Sequence, residues 1–135
     1  MNKNFDQWNS IKKKVNENHD VSDVYFRERE IWWVRLGVNI GFEQDGTGEQ
    51  YARPVIILKK YNPQVFLVVP LSTTSKCGKY YFNIGDVDGK NAVAILSQIR
   101  LVDVHRLVKS IGTINKKMFS SLVKDIVKTN FGEWL

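Results

Sequence analysis

The spacing of apolar and polar positions divides the chain into a helical start, a long β-rich middle and a helical end. Near the N-terminus, apolar residues recur at helical spacing and predict an amphipathic helix over about residues 4–16, followed by a polar linker. Near the C-terminus, Asn115 is a candidate N-cap. An apolar stripe then follows at Met118, Phe119, Leu122, Val123, Ile126 and Val127. We interpret this stripe as the core-facing side of a second helix.

Between these helices, short β-type apolar runs alternate with turn-forming residues. The runs predict strands at 31–36, 55–58, 65–69, 80–84, 92–96, 99–104 and 110–114, with a turn-rich stretch at 85–89. The predicted fold class is therefore mainly β (α+β): a compact, strongly twisted small β-barrel or sheet with a helix at each end.

One segment of the middle region is rich in glycine. Four glycines fall within the twelve residues from Gly37 to Gly48 inclusive, and they predict a long, mobile loop that leads towards Arg53 and Pro54. Long loops in compact domains are often functional, so we expect this loop to contribute to a site.

Composition indicates one soluble domain that meets an acidic partner. The 135 residues carry a net charge of +6. Residues 76–135 hold ten Lys/Arg against five Asp/Glu, which suits a polyanion or an acidic protein. The single cysteine, Cys77, fits a reducing compartment. Because we find no secretory leader and only short apolar runs, we expect a cytoplasmic protein with no membrane contact.

The common catalytic sets do not fit this sequence. His19 and His105 stand apart from each other and from Cys77, so we predict neither a metal site nor a cofactor. We expect His19 to be solvated and His105 to be a surface or capping residue. The remaining candidates for a functional site are the glycine-rich loop, Arg53 and the polar stretch that begins at Ser72.

Five segments, in order, resemble the MazF/PemK growth-inhibitor toxins. They span residues 29–127 and comprise Glu30–Val34, Gly41–Gly46, Arg53–Leu58, Val68–Thr73 and Ala94–Asp103. The resemblance implies a toxin domain over residues 29–135, preceded by a helical extension and linker at 1–28. It also implies an SH3-like barrel that forms a homodimer, and an acidic antitoxin whose flexible tail covers the RNA groove.

The resemblance further implies a metal-independent endoribonuclease that cuts single-stranded mRNA. In the family, the 2′-hydroxyl of the RNA attacks the phosphate and leaves 2′,3′-cyclic phosphate and 5′-hydroxyl ends. Arg53 occupies the position of the catalytic arginine, which stabilises the phosphate or donates a proton to the leaving oxygen. Ser72 stands where the family usually has threonine, with Thr73 as the adjacent alternative. From the residues alone, an arginine that simply precedes a proline at the start of a strand is the favoured interpretation of Arg53, and a polar turn is the alternative for Ser72.

Further residues are candidates for RNA binding. Glu43, Asp45 and Glu49 are expected to cluster near Arg53, where a carboxylate acts as a base or tethers the loop. The other candidates are cations for phosphates, an aromatic ring for stacking and amides for base edges: Lys76, Lys79, Arg100, Tyr81, Gln44 and Gln98. A surface role for Gln98 is equally open.

Two alternatives use the same small barrel without cleavage. One is a gyrase poison of the CcdB kind, which acts by protein contact and would not depend on Arg53 and Ser72 together. The other is a non-catalytic module that binds RNA in a salt-dependent way without producing new RNA ends.

Overall fold

A computed structural model describes residues 2–18, 20–21 and 23–135, so the prediction for His19 lies outside the described residues. These residues form α1 (Phe5–Glu17), β1 (Glu30–Arg35), β2 (Ala52–Lys60), β3 (Val65–Ser72), β4 (Tyr81–Val87), β5 (Lys90–Ile95), β6 (Arg100–Asp103), β7 (Leu107–Thr113) and α2 (Lys116–Phe131). Short 3-10 turns lie at 96–98, 104–106 and 132–134. No helix among the described residues is both long and apolar enough to cross a membrane.

The strands form one curled antiparallel sheet in the order β4-β5-β3-β2-β1-β7, and β6 pairs with β3 beside β5. The first half of β3 pairs with β6, from Val65 to Val68, whereas its end at Leu71 and Ser72 pairs with β5. One strand therefore serves two partners along the same edge, which forces the sheet to curl. The mainly β small-barrel fold with a helix at each end is confirmed.

Both faces of the central strands are buried, and this explains their continuous apolar runs. Ile56 and Val69 belong to a core that α2 covers through Leu122. Alternate residues such as Val55 and Val68 point into a second core. The side chains of all five residues are 0% exposed.

Both predicted helices are present with polar caps. The Asn4 side chain accepts from the Gln7 N–H at 3.0 Å, and the Asn115 side chain accepts from the Met118 N–H at 2.8 Å. Each cap satisfies a donor that the first helical turn leaves free. The predicted apolar stripe of α2 is partly wrong, because Val123 and Val127 lie at its exposed edge.

Several strands are longer than predicted, and two of these differences concern the site and the hairpin beside it. β2 begins at Ala52 rather than at Val55, so Arg53 is a strand residue. The turn predicted at 85–89 is confined to Asp88 and Gly89, whose φ values of 52° and 86° suit a two-residue hairpin turn. Cross-strand pairing to β5 extends β4 up to this turn, which local composition does not reveal.

Candidate active site

A cleft of about 520 Å³ opens where β1, β2, the end of β3 and the β4–β5 hairpin meet. Its lining includes Arg53 from β2 and the stretch 71–74 at the end of β3. Gln44, from the loop between β1 and β2, also faces it, as do Lys76 and Lys90. The structure thus brings Arg53, Ser72, Thr73, Gln44 and Lys76, all predicted site residues, into one cleft.

Backbone and amide oxygens hold the Arg53 guanidinium in place. Its Nε donates to the Asp45 carbonyl at 2.6 Å, and its Nη1 donates to the Leu71 carbonyl at 3.0 Å. With its amide oxygen turned to Arg53, Gln44 accepts from Nη2 at 2.8 Å. A guanidinium carries five N–H donors, so these bonds leave one on each terminal nitrogen for a ligand.

Burial lowers the pKa of the Arg53 guanidinium from its ordinary value, and the negative charge of Asp45 acts in the opposite direction. Arginine remains protonated in proteins, so the group keeps its charge in a partly desolvated position. A cation with few water contacts attracts an anion more strongly than a fully solvated one. The cleft is therefore suited to a phosphate.

Ser72 ends β3 with its side chain almost buried, at 5% exposure. Its hydroxyl oxygen lies 2.7 Å from that of Thr74, and it accepts from the Thr74 N–H at 3.3 Å. Thr73, between them, is exposed. Thr74 is not among the residues predicted for the site, because its pairing with Ser72 depends on the bend of the chain after β3.

The three loop carboxylates predicted near Arg53 differ in their contacts. Asp45 is the one that contacts Arg53, through its main-chain oxygen and its charge. Glu43 accepts from the Ile40 N–H at 2.9 Å and lies close enough to Arg100 to oppose the burial that lowers the pKa of that arginine. Glu49 lies in a separate depression beside Trp33.

Gln98 and Arg100 lie outside the lining of the Arg53 cleft. They line a depression of about 700 Å³ together with Glu43 and Gln44. The Gln98 oxygen accepts from the Gln44 N–H at 2.7 Å, and its nitrogen donates to the Phe42 carbonyl at 3.2 Å. Gln98 therefore fixes the loop, a contact between distant segments that spacing along the chain does not show.

Lys79 and Tyr81 lie in a third depression, against the end of α2. The Lys79 ammonium is 5.1 Å from the centre of the Tyr80 ring, and the Lys76 ammonium is 5.7 Å from that of Tyr81. Lys76 thus lies between the Arg53 cleft and this region. The two depressions together form a basic and aromatic surface.

Trp33 is a cleft residue that the sequence analysis assigned only to a strand. Its indole Nε1 is buried and has no hydrogen-bond partner among the described residues. Alternation along β1 predicts that the side chains of Trp33 and of the core residue Val34 point to opposite faces of the sheet. It does not predict that Trp33 lines this cleft.

Solved MazF structures share this fold. The MazF of Deinococcus radiodurans superposes with a TM-score of 0.67 at 16% identity, covering 79% of this chain and 97% of that one. The Mycobacterium tuberculosis toxin MazF-mt6 gives 0.58 at 19% identity, over 74% and 94%. A mycobacterial endoribonuclease solved with its cognate antitoxin gives 0.58 at 14% identity, over 80% and 96%. No curated protein sequence matches the chain.

Fold and cleft thus define a small-barrel protein with the architecture of MazF toxins. The family model of the PemK-like, MazF-like toxins of type II toxin–antitoxin systems matches residues 27–129. Because this match covers most of the 135 residues, the chain belongs to that family. The helix α1 lies outside the matched span.

Proposed function

We propose that this protein is the toxin of a type II toxin–antitoxin system and a metal-independent endoribonuclease for single-stranded mRNA. The observation that carries the proposal is the anchored Arg53 guanidinium, which shares one cleft with the buried Ser72 hydroxyl. Membership of the PemK-like, MazF-like family and the endoribonuclease among the structural neighbours agree with it.

The proposed reaction is an internal transfer of the phosphoryl group. The 2′-hydroxyl loses its proton and forms a bond to phosphorus, while the bond from phosphorus to the 5′-oxygen breaks and that oxygen gains a proton. The products are a 2′,3′-cyclic phosphate and a 5′-hydroxyl. Charge increases on the phosphate oxygens, and a fixed arginine fork stabilises it without rearranging during the reaction.

Ser72 is proposed to hold a phosphate oxygen, with Thr74 fixing the direction of its hydroxyl. Thr73 is the exposed alternative. Lys76 lies at the cleft and Lys79 beyond it, so a bound strand would follow these lysines towards Tyr81, where a base has a ring to stack on. Arg100 and Gln98, with Glu43, Gln44 and Asp45 of the loop, are proposed to contact the strand on the other side.

An acidic antitoxin segment is the proposed protein partner, since the second half of the chain is basic. A MazE–MazF complex from Deinococcus radiodurans is among the similar structures. We propose a cytoplasmic homodimer as the form in which the toxin meets both the antitoxin and mRNA.

The test is to incubate the purified protein with a long single-stranded RNA in EDTA and to map the new ends. Arg53→Ala is the matched variant, because it removes the guanidinium that is proposed to stabilise the phosphate. We expect discrete cuts with 5′-hydroxyl ends, at a rate reduced by at least about 100-fold in the variant.

Intact RNA would exclude the nuclease. Salt-dependent binding without new RNA ends would then indicate an RNA-binding module. Inhibition of gyrase would indicate a gyrase poison of the CcdB kind. Cuts that Arg53→Ala makes equally well would exclude Arg53 as a catalytic residue.

A further inference from the structure

The N-terminal segment, residues 2–17, packs on the loop that supplies Gln44 and Asp45, although it lies outside the matched family span of 27–129. Trp8 of α1 is 5% exposed. Its ring lies 5.6 Å from that of Tyr51, at the end of the loop, measured between ring centres. The Tyr51 hydroxyl also donates to the Gln7 side-chain oxygen at 2.8 Å.

Lys3 makes a more direct connection to the loop. Its ammonium donates to the carbonyls of Asn39 at 2.7 Å and Gly41 at 2.8 Å. It also forms a salt bridge with the Asp45 carboxylate at 3.0 Å, and the Lys3 side chain is 13% exposed. An ammonium has three N–H donors, so the loop uses all of them.

Asp45 connects Lys3 to the candidate catalytic arginine. One carboxylate oxygen contacts Lys3, the other accepts from the Asn39 N–H at 2.7 Å, and the main-chain oxygen accepts from Arg53 Nε at 2.6 Å. A displacement of Asp45 would therefore remove one of the three acceptors that hold the guanidinium. Gln44, the adjacent residue, supplies another.

The start of the loop also depends on α1. A Cβ atom at Gly37 would lie 2.2 Å from the Trp8 ring, so helix and loop touch where only glycine fits. At the other end, Tyr51 holds a left-handed φ of 50°, which is unfavourable for a residue with a side chain. Its contacts with Trp8 and Gln7 help to stabilise that conformation.

We propose that the N-terminal segment clamps the loop 37–51 in the conformation that holds Arg53, with Lys3 and Trp8 as positioning residues. A loop with four glycines has many alternative conformations, and fixing it in advance removes that entropic penalty from the reaction step. The effect on cleavage rests on the proposed nuclease function, whereas the effect on the loop does not.

The experiment compares the full-length Lys3→Met variant with Lys13→Met, which removes the same charge from an exposed position on α1. Hydrogen exchange of the loop amides, those of Asn39 and Gln44 included, is measured alongside single-turnover cleavage of an RNA oligonucleotide that contains a mapped cut site. In Lys3→Met we expect loop exchange about 10-fold faster, by the loss of charged hydrogen bonds. We expect a similar fall in the maximal single-turnover rate constant, with little change in the protein concentration that gives half of that rate.

Lys13→Met should match the wild type in both measurements, and Lys3→Arg should restore part of the protection because it keeps the charge. Unchanged loop exchange in Lys3→Met would overturn the clamp. Faster exchange with unchanged cleavage would overturn its role in positioning Arg53. If the wild type cuts no RNA, the proposed function fails, and the exchange data alone decide whether the clamp exists.

Discussion

Arg53 Nη1 donates to the main-chain oxygen of Leu71 at 3.0 Å, and this bond sets the guanidinium beside the end of β3. The register of β2 and β3 pairs Val55 with Pro70, and continuing it by two residues places Arg53 opposite Ser72. Strand pairing alone therefore brings together two candidate catalytic residues that are 19 positions apart in the sequence.

Replacing Arg53 with lysine tests the geometry rather than the charge. Lysine carries its donors on one nitrogen without the planar fork, so it cannot reproduce the separate Nε and Nη1 contacts with Asp45 and Leu71 while it also faces a phosphate. We expect Arg53→Lys to slow RNA cleavage by about 100-fold, as measured by single-turnover kinetics. Its thermal unfolding should remain close to that of the wild type. A rate near that of the wild type would mean that charge alone suffices.

The two neighbouring hydroxyls at the end of β3 are distinguished by burial. Ser72→Ala removes a buried hydroxyl and leaves that of Thr74 without its partner at 2.7 Å, whereas Thr73 is exposed. We expect cleavage to fall by about 10- to 100-fold in Ser72→Ala and much less in Thr73→Ala, on the scale of one lost hydrogen bond to a charged group. A larger loss of cleavage in Thr73→Ala than in Ser72→Ala would assign the phosphate-holding role to Thr73.

Gly46 and Gly48 provide a matched pair for the loop. A Cβ at Gly46 would lie 1.7 Å from the Tyr51 main-chain oxygen, whereas one at Gly48 meets nothing within 4 Å, although φ there is 74°. We expect Gly48→Ala to lower the free energy of unfolding by about 1–2 kcal/mol, the penalty of a left-handed residue. Gly46→Ala should lower the free energy of unfolding further and should also slow RNA cleavage. Urea unfolding measures the free energy of unfolding of both variants. Equal losses in the two would contradict the close approach of residue 46 to the Tyr51 main-chain oxygen.

Asp103 should make stability depend on pH in the acid range. Burial raises its pKa, but hydrogen bonds from the His105 N–H and ring, and the charges of His105 and Arg106, outweigh this and lower it below 3.8. A carboxyl with a lowered folded pKa stabilises the protein above its unfolded pKa and loses that effect as pH falls through the folded value.

Asp103→Asn should therefore be less stable than the wild type at neutral pH, with a difference that shrinks as pH falls below 3.8. Urea unfolding of both proteins across that range is the measurement. Asp86→Asn, at an exposed strand position, is the control and should show no such trend. A difference that stays constant with pH would show that the charge of Asp103 does not contribute.

Local patterns were enough to predict most of the secondary structure. Asn115 capped the predicted helix, because a cap depends on residues three positions apart. The prediction was wrong at Val123, whose exposure depends on how α2 lies across the sheet. It also began β2 too late, at Val55, because cross-strand pairing to β1 extends the strand through Arg53.

The sequence by itself determined the helices, most strands and the basic second half, and its ordered motifs singled out Arg53 and Ser72 as candidate catalytic residues. Only the tertiary structure decided which groups surround them. The carbonyl of Leu71, the hydroxyl of Thr74 and the ammonium of Lys3 take up their positions through strand register, chain bending and helix docking. Such contacts join residues far apart in the sequence, and no local preference specifies them.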